Sequence, residues 1–147
     1  MNSSTCTLEG EVLVPGNARG IPIALAPLSF WGGYDAEDGK IIDRTHPNRG
    51  QSLQDRILVM PRARGSSSSS SVLAEALRNG TGPAGIILCE RDLIIAIGVI
   101  AANELYSLDV PVVTVDENAF ARIALCTSTL NIDAADTARS ASISFGA

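Results

Sequence analysis

The chain is short of lysine, histidine and aromatic residues. Across 147 residues there is one lysine, Lys40, one histidine, His46, and six aromatic side chains. The net charge is −5. This balance argues against nucleic acid as the main partner, because a phosphate backbone is held by clustered Lys and Arg. Cysteine is sparse too. Cys6, Cys89 and Cys126 are far apart, odd in number, and contain no C-x-x-C pair. That excludes a disulfide framework and a self-contained metal site, and predicts three reduced thiols with Cys89 in a core strand. The chain does not open on a charged segment followed by an apolar one, as a secretory signal would. Its longest apolar stretch, Leu93 to Ala102, is interrupted by Gly98 and is too short to cross a bilayer. These absences predict a cytoplasmic chain with no membrane contact.

What is present is ordinary for a globular domain. The hydrophobic fraction is 46%, supplied mostly by Ile, Leu, Val and Ala. One domain over residues 1–147 is expected, with its core over about 5–146 and a frayed start at residues 1–4. Thr5 to Val14 partly alternates and predicts a strand, bulged at Gly10. Pro15-Gly16-Asn17 predicts a turn. Pro22 and Pro27 limit Ile21 to Leu28 to a short or edge strand. Short apolar runs at Arg56 to Met60, Ala84 to Leu88 and Val110 to Val115 predict buried strands. Helical patterns fall between them, over about 67–78 and 93–105, with Asn79-Gly80 as a stop signal. A short helix over 118–125 follows the capping sequence Asp116-Glu117-Asn118. Strands are expected at Thr129 to Ile132 and Ser140 to Phe145. The fold class is α/β: a parallel βαβ core, right-handed, with additional strands that curl toward a barrel.

The chemistry concentrates at Arg64-Gly65 followed by six serines, Ser66 to Ser71. The order is strand, glycine turn, helix start. A helix start exposes N–H groups without intrahelical partners and carries partial positive charge. Capping by Ser66 or Ser67 explains one serine but not six, and serine runs start helices poorly. Small side chains there let another group approach the backbone closely. The run lacks G-x-x-x-x-G-K-[ST], so it is not a standard phosphate loop. It lacks G-x-S-x-G, and the sole histidine lies upstream, so a hydrolase nucleophile is disfavoured. A serine at this position could act as a base toward a proton alpha to a carboxylate, with Arg64 adding positive charge. Such a reaction also needs a Lewis acid for the leaving group, and the chain offers no ligand set for one. The run therefore points to part of an active site. Phe30-Trp31-Gly32-Gly33 is either a buried aromatic turn or a wall of the same site. His46, in a polar loop, is expected to be solvated.

In order along the chain, LSFWGGYD, GKIID with HP nearby, RILVMP, RGSSSSSSVLAEALRNG and PVVTV resemble the small subunit of aconitase X. The resemblance covers about residues 8–115. It implies the swivel domain of the aconitase superfamily, a β/β/α sandwich or barrel. It implies a hydro-lyase small subunit in a heterodimer or larger assembly, with the iron–sulfur cluster held by the large subunit. By position, Ser66 matches the family's catalytic serine and is implied as proton acceptor. Arg64, Gly65 and Ser67 are implied to shape the loop and contact the substrate carboxylate. No metal ligand is implied in this chain, and no role is implied for Phe30 to Gly33, for His46 or for Ser68 to Ser71. The serine-saturated loop resembles the type that dehydrates cis-3-hydroxy-L-proline to 1-pyrroline-2-carboxylate. Mevalonate 5-phosphate dehydration is the alternative, and a non-catalytic binding module keeping the fold is an alternative of another class.

Overall fold

The computed structural model describes residues 5–135 and 140–146. The expected fraying of residues 1–4 lies outside them. The central feature is a mixed sheet of eight strands. In chain order these are β1 (Thr5–Val14), β2 (Gly16–Gly20), β3 (Pro22–Ala24), β6 (Ile57–Val59), β7 (Gly85–Leu88), β8 (Val112–Thr114), β9 (Leu130–Ala134) and β10 (Ala141–Gly146). A two-stranded hairpin, β4 (Tyr34–Asp35) with β5 (Lys40–Ile41), stands apart. The helical segments are α1 (Phe30–Gly33), α2 (Ser69–Asn79), α3 (Leu93–Tyr106) and α4 (Glu117–Ala124).

The sheet order is β2-β9-β10-β1-β8-β7-β6-β3. Its two end strands, β2 and β3, are separated in sequence by Ile21 alone. One residue cannot span an open sheet, so the sheet curls until its ends nearly meet. Strands β3, β6, β7 and β8 are mutually parallel. The units β6-α2-β7 and β7-α3-β8 form the expected parallel core. Alternate residues of these strands enter two cores. Leu58, Ile86, Leu88 and Val112 face α2 and α3, whereas Ile57, Val59, Ile87 and Val113 fill the interior of the curled sheet. Burial on both faces explains why these strands read as continuous apolar runs.

The helix limits follow their caps. Gly80 ends α2 in the left-handed conformation (φ 77°), and its N–H donates to Leu77 C=O. Asp116 caps α4 by accepting from the Ala119 N–H at 2.8 Å. Asp92 caps α3 by accepting from the Ile95 N–H at 3.0 Å.

Four local expectations are corrected. The turn expected at Pro15-Gly16-Asn17 is not formed: Gly16 and Asn17 begin a strand over Gly16–Gly20, pairing Gly16 with Ala134 through Gly20 with Leu130. Its sequence, GNARG, has little strand propensity, and the ladder with β9 overrides it. The irregularity in β1 falls between Val12 and Val14, where it pairs with β8, and not at Gly10. Cys89 lies just beyond β7 and is half-buried. Burial, followed by the nearby carboxylates of Glu117, Glu90 and Asp116, pushes its thiol above the ordinary range, so it stays protonated. His46 is buried. Its Nδ1 accepts from the Asn48 N–H at 3.0 Å, which leaves Nε2–H to donate to Ala26 C=O at 2.9 Å. Both ring nitrogens are satisfied, and the imidazole pins loop 43–50 to the chain beyond β3.

Candidate active site

Four loops leave the C-terminal edge of the parallel strands, after β3, β6, β7 and β8. In sheets of this kind, ligands gather at that edge. The loop after β6 carries the serine run, and the loop after β3 carries Ser29 and Trp31. The structure joins these two loops. Arg64 N–H donates to Leu28 C=O at 3.1 Å, and Trp31 N–H donates to Ser69 Oγ at 3.1 Å. Ser29 Oγ donates to Trp31 C=O at 3.1 Å.

Gly65 makes this meeting possible. Its φ is +99°, and a Cβ there would overlap Ser29 Oγ and lie 2.9 Å from Ser29 Cβ. Both the dihedral and the contact exclude a side chain. Past Gly65 the backbone tightens. Ser69, Ser70 and Ser71 donate to the carbonyls of Ser66, Ser67 and Ser68 at 3.0, 3.2 and 3.2 Å, three successive turns that lead into α2.

The six serines separate into different environments. Ser69 is buried and receives the Trp31 N–H. Ser70 Oγ and Ser71 Oγ donate back to Ser67 C=O and Ser68 C=O at 2.8 and 3.0 Å. Ser70 also presents its backbone to α3: a Cβ on Gly98 would lie 2.7 Å from Ser70 C=O. Gly98 therefore lets α3 close on the start of α2, and this explains the glycine inside an otherwise apolar helix. Ser66 and Ser67 are exposed. Ser66 Oγ accepts from the Ser68 N–H at 3.3 Å, a long bond. Among the described residues, the N–H groups of Ser66 and Ser67 donate to no protein acceptor. The exposed end of the run thus offers two hydroxyls, Ser66 Oγ with one long bond and Ser67 Oγ with none among the described residues, beside free backbone donors.

The charges around it are also available. Arg62, Arg78 and Arg91 pair with Glu90, Glu75 and Glu11. Arg64 is exposed and forms no ion pair among the described residues. Asp43 lies beside Gly33, at the end of the aromatic segment. Its Oδ1 accepts from the N–H and Oγ of Thr45 at 2.9 and 2.8 Å. These bonds, and beyond them the Arg64 guanidinium, hold its carboxyl below the ordinary carboxylate range. Trp31 is 60% exposed, while Phe30 is fully buried and meets Tyr34 edge-on at 5.8 Å. Phe30 fits the buried aromatic turn, while Trp31 is exposed beside the serine loop.

All four residues singled out from the sequence, Arg64, Gly65, Ser66 and Ser67, fall on this one loop. Ser29, Asp43 and Thr45 escaped notice. The Asp-x-Thr spacing is a turn signal that could have flagged the last two. The described residues contain no group of three or more His, Cys, Asp or Glu side chains able to hold a metal ion. The serine loop is open to solvent on its outer side, so it resembles one wall of a site. A shallow concavity between Asn17–Arg19 and Asn131–Asp133 belongs to the antiparallel strands and contains none of these residues.

Residues 7–138 match the family of the aconitase X swivel domain. The chain belongs to this family. The aconitase X swivel domain is found in relatives of two kinds. The cis-3-hydroxy-L-proline dehydratase of Pseudomonas aeruginosa is 45% identical over 109 residues, which are 73% of this chain and 19% of that protein. The chain thus spans about a fifth of that relative's length. The phosphomevalonate dehydratase small subunit of Methanothermobacter thermautotrophicus is 39% identical over 94 residues, 63% of this chain and 72% of that one. The crystal structure of Thermococcus kodakaraensis aconitase X in its holo-form aligns with a TM-score of 0.77 at 33% identity, covering 94% of this chain and 98% of that chain. The expected swivel fold is therefore correct, and its homologues include a dehydratase and a dehydratase small subunit.

Proposed function

We propose that this chain supplies the serine loop of an aconitase X-type dehydratase completed by a large partner chain. The observation that carries the proposal is the exposed Ser66 hydroxyl, held at a glycine turn beside free N–H groups and the unpaired Arg64. Arg64 and the N–H groups of Ser66 and Ser67 suit a substrate carboxylate. The same positive surroundings favour an ionised serine, which then takes the proton alpha to that carboxylate and becomes a neutral hydroxyl. Trp31 and the Gly65 turn bound the space in which the substrate sits.

The resemblance assigns an iron–sulfur cluster to the large partner. The described residues of this chain do not fit one, since no three ligands converge. Only the proton-transfer half of the elimination falls to this chain.

For the substrate we favour cis-3-hydroxy-L-proline. Loss of the alpha proton and the 3-hydroxyl, as water, leaves an enamine that tautomerises to 1-pyrroline-2-carboxylate. The six-serine loop supports this reading, as does the higher identity to the hydroxyproline enzyme over the longer alignment. Mevalonate 5-phosphate is the second reading. It is favoured by the fact that the chain covers 72% of a separate small subunit. The test is to assay both substrates with the chain and the aconitase X large chain of the same organism. Release of 1-pyrroline-2-carboxylate supports the first reading. Turnover of mevalonate 5-phosphate alone replaces it with the second. A chain that captures no cluster-bearing partner and turns over neither substrate supports a non-catalytic module.

A further inference from the structure

The outer face of α3 is apolar where a surface helix is normally polar. No charged residue occurs between Leu93 and Ala102. Ile95, Ala96, Val99 and Ala102 are buried against the sheet and α2. On the other side Leu93, Ile97 and Ile100 are 67%, 59% and 46% exposed. Their spacing, i, i+4 and i+7, aligns them in a single stripe. Its exposed area is on the order of a few hundred Å², the size that marks interaction surfaces on soluble proteins. Glu104, also exposed, falls on the same face and closes the stripe with a charge.

This stripe adjoins the serine loop. Helices α2 and α3 both start at the C-terminal edge of the parallel strands, and Gly98 brings α3 onto the Ser70 backbone. Trp31, latched to Ser69, adds an exposed apolar group on the loop's other flank. The loop therefore lies between two exposed apolar elements. An apolar centre with a charged boundary is the anatomy of an interface.

We propose that the Leu93–Ile97–Ile100 stripe is the surface on which the large aconitase X chain docks. The proposal rests on the two-chain reading above. Its support is positional and chemical. The remainder of the active site must reach the serine loop from the C-terminal edge, where the stripe begins at Leu93 before it runs down the outside of α3. The P. aeruginosa relative carries the body needed for this, since its match to the present chain takes up only 19% of its length. The complementary surface must be apolar and without unpaired charge, because Leu93, Ile97 and Ile100 offer no polar partner.

The experiment titrates the purified large chain of the same organism, with its cluster intact, into four forms of this chain. These are wild type, Ile97→Asp, Ser66→Ala and Leu125→Asp. Leu125 is 82% exposed at the end of α4, on the other face of the sheet, and serves as control. Calorimetry gives affinity, light scattering gives stoichiometry, and circular dichroism confirms folding. We expect Ile97→Asp to weaken binding by about 100-fold while Ser66→Ala and Leu125→Asp bind as wild type. Leu93→Lys, at the first turn of α3, replaces Ile97→Asp should the latter not fold. Wild-type affinity in the folded stripe variant would overturn the docking surface and leave the two-chain reading standing. If wild type ignores the large chain but self-associates, and Ile97→Asp makes it monomeric, the stripe joins two copies. In that case the docking proposal and the two-chain reading both fall.

Discussion

The two halves of the sheet are built to different rules. In the parallel half, β6, β7 and β8 are buried on both faces, and the strands between Ile57 and Thr114 span only three or four residues each. In the antiparallel half, β9 and β10 alternate. Leu130, Ile132 and Ala134 point inward while Asn131 and Asp133 face water, and Ala141, Ile143 and Phe145 repeat the pattern. The first half spends its connections on the loops of the candidate site, all leaving from one edge. The second half connects β1, β2, β9 and β10 without contributing a residue to the serine loop. The difference separates functional from structural effects: substitutions in the loops should change turnover, and substitutions in the antiparallel strands should change stability.

The largest expected effect tests the first half of that rule. Ser66→Ala should lower the turnover of the assembled enzyme by about 10²–10⁴-fold, as loss of a general base does. Thermal unfolding should be nearly unchanged, because only the long bond from the Ser68 N–H is lost. Retained turnover would remove Ser66 from the proton transfer. The counterpart in the second half is Ile143→Ala. Ile143 is fully buried, so the change should cost about 2–5 kcal/mol in urea unfolding. Turnover per folded molecule should stay within a factor of about two at a temperature where the variant is folded, judged against the independence expected of distant sites. A large loss of turnover would join the halves into one functional unit.

Gly98→Ala probes the boundary between packing and function. Alanine in a helix interior normally gains about 1 kcal/mol over glycine. Here the new Cβ meets the Ser70 carbonyl at 2.7 Å, and overpacking against backbone costs about 1–3 kcal/mol. The clash should win, so the melting temperature should fall and the start of α2 should shift. A rise in melting temperature would show that α3 can retreat without cost.

The smallest effect concerns pH. The folded-state carboxyl of Asp43 is depressed by Thr45 and Arg64, so its contribution to stability is present above the ordinary carboxylate value. It is lost only as pH falls below that value and through the lower folded one. Asp43→Asn should abolish this slope: the variant is slightly less stable than wild type at neutral pH, and the difference vanishes once the pH falls below the folded-state value. An NMR titration that finds Asp43 at or above the ordinary value would contradict the depression.

Much of the parallel half was legible from the sequence because burial on both faces leaves unbroken apolar runs. Ile57 to Val59 and Gly85 to Leu88 are such runs, and Gly80 terminates α2 as its sequence implied. Strand β2 was not legible, since GNARG becomes extended only because β9 supplies its hydrogen bonds. His46 misled for a related reason. Its loop is polar, and the carbonyl that accepts its proton, Ala26, is twenty residues away. Within the site, the residue types of the serine run showed a helix start that needed small side chains. They did not show which serine does what. Ser69 faces Trp31 and Ser70 faces Gly98 through contacts spanning 38 and 28 positions, and no local pattern encodes such distances.

One pairing bears on how such a domain is delivered in different genomes. Thr5 at the start of β1 lies opposite Gly146 at the end of β10. The fold therefore leaves and returns at the same point, like a bead tied on a thread by a single knot. A linker attached at either end departs from one place and disturbs no other strand. Fusing such a unit to a larger polypeptide, or separating it, leaves the geometry of the serine loop untouched. The relatives show both arrangements, one matching over a fifth of a long protein and another over most of a short subunit. The gene boundary can move while the edge that carries the serine loop stays where it is.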